Sequence, residues 1–120
     1  MKPIANLIHV ENVEHALNWY KAAFPESSFR TMGGFTFLDV NGFALELVPA
    51  DAKVSSGKSG SVTYWEVDDL ELEILRFKKL GSSVYRGPMK IGPEMGMCQV
   101  TDPFGNLIGL RGRVNKHNYG

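Results

Sequence analysis

Apolar and polar positions along this chain alternate in short runs that predict two helices set among several strands. Ile4 to Val10 is an apolar run of strand length. Asn12 follows as a candidate N-cap. Val13, Ala16, Leu17, Tyr20 and Phe24 then recur at helical spacing, and Pro25 stops that helix. Phe29 to Leu38 and Phe43 to Val48 are dense in Phe, Thr, Leu and Val and read as strand. Asn41-Gly42, just before the second run, is a strong hairpin-turn signal. Pro49 to Ser61 is polar and rich in Ser, Gly and Lys, which reads as a linker.

The same order then returns. Val62 to Val67 is strand-like, and Asp68 or Asp69 caps a second helix. Leu70, Ile74 and Phe77 mark the buried face of that helix, and Gly81 sits where a C-terminal cap belongs. Val84-Tyr85 reads as a short strand. Arg86 to Met97 interleaves glycines and prolines with Met89, Met95 and Met97. It reads as an irregular connector, or as a lid whose methionines adapt to a ligand. Met97 to Thr101 and Leu107 to Leu110 make a hairpin turned by Asp102-Pro103-Phe104-Gly105-Asn106.

Sliding the first half forward by 57 residues sets Val10 on Val67, Asn12 on Asp69, Leu17 on Ile74 and Tyr20 on Phe77. After the longer loop of the second half the shift is 63. Asp39 then meets Asp102, Gly42 meets Gly105, and Leu47 meets Leu110. Each half reads strand–helix–strand–strand–strand, so the expected fold is α+β, two tandem βαβββ modules at about 1–50 and 61–112. The linker covers 49–61 and a polar tail 113–120. One helix covers only one face of a four-stranded sheet. Two such units are expected to form a concave mixed sheet with the helices outside and a ligand-sized trough inside.

Composition narrows the class. The 120 residues fit one domain and need no staple, since disulfides or metals become near-obligatory only below about 40 residues. Lys plus Arg number 13 and Asp plus Glu 13, so the basic excess of a dedicated nucleic-acid binder is missing. The single cysteine, Cys98, has no intramolecular partner and suits a reducing compartment, where a buried structural thiol is its expected role. The opening residues show no apolar run of signal-peptide length, and no stretch nears the ~20 apolar residues of a membrane span. The expectation is a cytoplasmic protein with neither a membrane nor a nucleic-acid partner.

Three segments carry a family likeness: HVENVEHALNWYKAAFPES, WEVDDLELEILRFKKLG and DPFGNLIGL. Together they run from Ile4 to Arg111, nearly the whole chain. The sequence resembles the vicinal oxygen chelate superfamily of glyoxalases, bleomycin-resistance proteins and extradiol dioxygenases. DPFGN followed by an apolar strand is the most specific single signal. The resemblance implies paired βαβββ modules, usually in a homodimer. It also implies four metal-ligand positions, which fall here on Ala5, Glu46, Val62 and Gly109. Only Glu46 has a side chain that binds a metal, whereas a catalytic transition-metal site takes about three protein ligands. No metal and no other cofactor is therefore expected, unless the strand register slips by two toward His9.

Strand parity places the remaining candidates. His9 shares a face with Ala5 and Leu7, Glu46 with Ala44 and Val48, Tyr64 and Glu66 with Val62, and Arg111 with Leu107 and Gly109. The candidate ligand-binding residues are His9, Glu46, Tyr64, Glu66 and Arg111. His9 and Glu66 are repeat equivalents and form a candidate acid/base pair. The plainer readings are a solvated rim for His9, a Glu46–Arg111 ion pair, and Trp65 packed on the helix side. His15 reads as exposed, and His117 lies in the polar tail. Ala52 to Ser59 imitates a phosphate loop but feeds no helix, so nucleotide binding is set aside.

Three functions stay open at this level. The leading one is binding and sequestration of a small molecule, with an aromatic or cationic ligand edged by Glu46 and Glu66. The second is a lyase, isomerase or dioxygenase-like enzyme, metal-free through His9 and Glu66 or with a displaced metal site. The third is a degenerate module serving as an interaction subunit.

Overall fold

A computed structural model of the chain describes residues 3–58 and 62–114. The chain divides between Ser56 and Gly57 into two compact units. The first contains β1 (Ala5–Val10), α1 (Val13–Ala23), β2 (Ser28–Met32), β3 (Phe35–Val40) and β4 (Phe43–Pro49). The second contains β5 (Tyr64–Asp69), α2 (Leu70–Lys79), β6 (Val84–Lys90), β7 (Met95–Thr101) and β8 (Leu107–Arg113). The sheet orders are β1-β4-β3-β2 and β5-β8-β7-β6, with one parallel pair in each. The fold is thus α+β, built of two βαβββ modules. The registers keep both internal shifts, because Leu7 faces Glu46 in one module and Tyr64 faces Gly109 in the other.

Both helices begin at caps visible in the sequence. The Asn12 side chain accepts from the His15 amide at 2.9 Å, and Asp69 accepts from the Leu72 amide at 3.1 Å. Asp69 is therefore the second cap, and Asp68 is not. Helix α1 packs on β3 and β4. It buries Ala16, Tyr20 and Ala23, while Val10, Leu38, Val40, Leu45 and Leu47 are buried on the strands. Helix α2 does the same over β5, β7 and β8. There Leu70, Ile74 and Phe77 are buried with Cys98, Val100, Ile108 and Leu110. Alternation along each strand sends the other residues to the opposite, open face.

The turns explain where the predicted strand limits shift. The run 29–38 is a hairpin rather than one strand, because Gly33 and Gly34 both take positive φ and reverse the chain between β2 and β3. Asn41 and Gly42 turn the next hairpin with φ of 53° and 89°, and the Gly42 amide donates to Asp39 Oδ1 at 2.8 Å. In the second unit the buried Asp102 carboxylate accepts from the amides of Phe104 and Asn106 at 2.8 Å each, and from Asn106 Nδ2 at 3.0 Å. The DPFGN motif is thus a hydrogen-bonded hairpin corner. Asn106 Oδ1 also accepts from the Gly57 amide at 2.8 Å, which fastens the linker to this corner.

The expected connector Arg86–Met97 is mostly strand. β6 runs to Lys90 and β7 starts at Met95, so the methionines lie on a paired hairpin. Glycine and proline mislead here because the pairing tolerates them through two register shifts along β6. β5 begins at Tyr64, leaving Val62 before it, and β8 extends through Arg113. Pro49 belongs to β4, and residues 50–58 form neither helix nor strand, the greater part of the phosphate-loop lookalike included. His117 and Ser59 lie outside the described residues.

Candidate functional site

On the first sheet, β1 runs parallel to β4 with Ala5 opposite Ala44, Leu7 opposite Glu46, and His9 opposite Val48. The open face therefore carries Ala5, Leu7, His9, Ala44, Glu46 and Val48, as parity expects. Phe35, Phe37 and Asp39 extend it across β3. Phe35 and Phe37 stack at 6.4 Å, and Arg30 pairs with Asp39 at 3.2 Å. Leu7 remains 53% exposed on this face, so an apolar surface stands beside the Glu46 carboxylate.

At the end of that face the Asp51 carboxylate accepts from the amides of Val54 at 2.8 Å and Lys53 at 2.9 Å. These two donors hold its acid below the usual carboxylate range, and the charge of His9 adds in the same direction. His9 thus has an acidic neighbour within its own unit. Glu66, its expected partner, belongs to the other unit.

The second sheet collects more chemistry. One row across its open face runs Tyr64, Gly109, Gln99, Arg86, and the next runs Glu66, Arg111, Met97, Met89. Tyr64 lies with its ring over Gly109. A Cβ at position 109 would come 2.6–2.8 Å from Cδ1, Cγ and Cε1 of that ring. Gln99 Nε2 donates to Tyr64 Oη at 2.7 Å, and the Arg111 guanidinium sits 4.4 Å from the ring centroid. Beyond the second row, Glu66, Asp68, Met95 and Arg113 line an open depression of about 390 Å³. Trp65 falls on the opposite, helix side and is half-buried.

The residues present do not fit the four-ligand metal site that the family likeness implies. Ala5, Val62 and Gly109 offer no donor, and the space in front of Gly109 is filled by the Tyr64 ring. Among the described residues no group of three His, Cys, Asp or Glu side chains is placed to hold a metal.

The five sequence candidates thus fall into two sets. Tyr64, Glu66 and Arg111 come together on one sheet face, and His9 and Glu46 share the other. Gln99 is the member that sequence reasoning missed. Its signal was available, since it lies ten residues before Gly109 in a hairpin whose turn was recognised, and antiparallel pairing sets the two opposite each other.

Cys98 begins no chemistry on this face. It is fully buried on the helix side, and burial pushes its thiol upward against the opposing charge of Lys78. A raised folded-state value stabilises the protonated fold below the unfolded thiol's pKa, and that contribution is lost as pH rises through the folded value. Native protein at pH 8 is expected to react with a thiol reagent more than roughly tenfold slower than urea-unfolded protein, because reaction waits on local opening. Equal rates would place the thiol at the surface.

Comparison with known proteins agrees with this architecture. The family model of the Glyoxalase/Bleomycin resistance protein/Dioxygenase superfamily matches residues 4–110. No curated protein matches the chain. Among solved structures, protein ATC0852 from Agrobacterium tumefaciens superposes with a TM-score of 0.76 at 17% identity, covering 96% of this chain and 99% of that one. The genomically encoded fosfomycin resistance protein FosX from Listeria monocytogenes gives 0.72 at 12% identity, covering 93% and 91%. TnmS3, an antibiotic binding protein from Streptomyces sp. CB03234, gives 0.68 at 22% identity, covering 94% and 96%. At these identities the structural likeness concerns the fold.

Proposed function

The chain belongs to the glyoxalase/bleomycin resistance protein/dioxygenase superfamily, and from that premise we propose that it binds and sequesters a small organic molecule without a bound metal. The observation that carries this reading is the Tyr64 ring lying over Gly109, a position where the family resemblance implies a metal ligand. An aromatic ring in that place takes the room a metal ligand would need and adds apolar area to this face. Beside it on the same sheet stand Glu66 and Arg111 as polar points for recognition; His9 and Glu46 are the polar points of the first module's own sheet. The mechanism is binding alone: the ligand leaves solution and its apolar body is removed from water. The similarity to an antibiotic-binding protein and to a fosfomycin-resistance protein supports a toxic or foreign compound as the class of ligand. The reading includes a homodimer acting in the cytoplasm. Among the described residues no helix is long and apolar enough to cross a membrane.

The first measurement is metal content. Protein stripped with chelator and then offered Ni, Zn, Mn, Fe and Co is expected to retain far less than one equivalent of each by elemental analysis. Near-stoichiometric uptake of any of them overturns the reading and moves the protein to metal-dependent chemistry. A thermal-shift screen follows on metal-free protein. A ligand at 100 times its Kd should stabilise by about 2.7 kcal/mol, a readily visible rise in Tm.

A further inference from the structure

Arg111 is the starting point. It is exposed, its guanidinium stacks on the Tyr64 ring at 4.4 Å, and among the described residues it makes no ion pair. A cation–π contact holds the guanidinium at the ring, and without an ion pair its N–H groups are available to an acceptor. Glu66 stands opposite Arg111 in the register but does not pair with it.

Tyr64 adds a second donor. Its hydroxyl oxygen already accepts from Gln99 Nε2 at 2.7 Å. A phenol has one proton to give, and this one meets no acceptor among the described residues. Arg86 lies opposite Gln99 on the far side of the same row, exposed and on the same face. Beside these donors Met97 is buried, while Met89 and Met95 stay 42% and 40% exposed. The charges on and beside this face are Arg86, Arg111 and Arg113 against Glu66, Asp68 and, opposite Arg113 in the register, Asp69, and all three carboxylates sit on β5 at one edge. The side toward β7 and β6 carries Arg86 and is lined with methionine.

We infer that the open face of the sheet β5-β8-β7-β6 anchors the oxyanion of a small organic acid, through the Arg111 guanidinium and the Tyr64 hydroxyl. Met89, Met95 and Met97 provide the bed for the apolar body, and their flexible thioethers adapt to its shape. The inference rests on the small-molecule reading and deepens it. It replaces the cationic ligand expected from Glu46 and Glu66 with an anionic one.

Three probes of one shape test it on the full chain: 2-naphthoate, the neutral 2-naphthamide and the cationic 2-naphthylmethylammonium. Binding is read from backbone amide NMR shifts, which also report location. Naphthoate is expected to bind roughly tenfold or more tighter than the amide, the ratio given by a charge-assisted hydrogen bond. Its shifts should centre on Gln99, Gly109 and Arg111. Arg111→Met should remove most of that advantage, with naphthoate losing far more affinity than the amide. Tyr64→Phe keeps the ring and should weaken naphthoate by a few-fold. If the three probes bind this face equally, or the ammonium binds best through Glu66, the anionic assignment is wrong while the small-molecule reading survives. If none of the three binds at millimolar concentration, the anionic assignment is likewise wrong. The small-molecule reading then stands or falls on the metal and thermal-shift results.

Discussion

Phe77→Ala should lower the stability of the protein by about 3–5 kcal/mol, the usual cost of deleting a fully buried aromatic side chain. Phe77 is 1% exposed at the centre of the face that α2 turns to β5, β7 and β8. Its ring is also covered by the Arg76 guanidinium at 4.9 Å, which two or more hydrogen bonds to Glu73 hold in place. Removing the ring leaves a cavity lined by residues held on paired strands, which relax little. Against a total of about 5–15 kcal/mol for a domain, this is a large fraction. Urea unfolding checks it. The midpoint should fall sharply with the slope retained. A loss below about 1 kcal/mol would mean that the site collapses freely or that Phe77 is not at the centre of the core.

Gly109→Glu puts a carboxylate at the last-strand position where the family resemblance implies a metal ligand, and is expected to cost about 1–3 kcal/mol through overpacking. The new Cβ would stand 2.6–2.8 Å from three atoms of the Tyr64 ring, among them Cγ at its root. The ring escapes only by changing its χ1 rotamer. That breaks the Gln99 hydrogen bond and unstacks Arg111. If ring and glycine are a matched pair, Tyr64→Ala should rescue much of the loss. The double variant is then more stable than the sum of the singles predicts, by about 0.5–3 kcal/mol. Four urea transitions supply the cycle. Strict additivity would show that the ring does not cover position 109.

Helix positions and hairpin corners were legible because their signals are local. Asn12 and Asp69 cap helices with their own side chains, and the Asn41-Gly42 and Asp102–Asn106 turns are set by backbone conformation and short-range hydrogen bonds. The period of the apolar residues picked out Leu70, Ile74 and Phe77 for the same reason. The failures were also physical. Gly33-Gly34 lay inside an apolar run whose strand-forming neighbours hid the turn. β6 and the start of β7 were hidden by glycines and prolines that strand pairing accommodates through register shifts. Those residues pair only because β7 is itself held by β8, a constraint that no window of the sequence contains.

The same division applies to the site. Strand parity, applied to the ligand positions that the family resemblance implies, placed Tyr64 and Glu66 with Val62 and Arg111 with Gly109 on one face, because the side-chain period of a strand admits only two faces. At the four ligand positions that the family resemblance implies, residue identity alone shows that three lack a donor. The sequence could not show that the Tyr64 ring lies over Gly109, that Gln99 joins it, or that Arg111 stacks on it rather than pairing with Glu66. Those are choices of rotamer and of neighbour. They are decided by which strands lie side by side and by the space a glycine leaves open, and only the tertiary structure contains both.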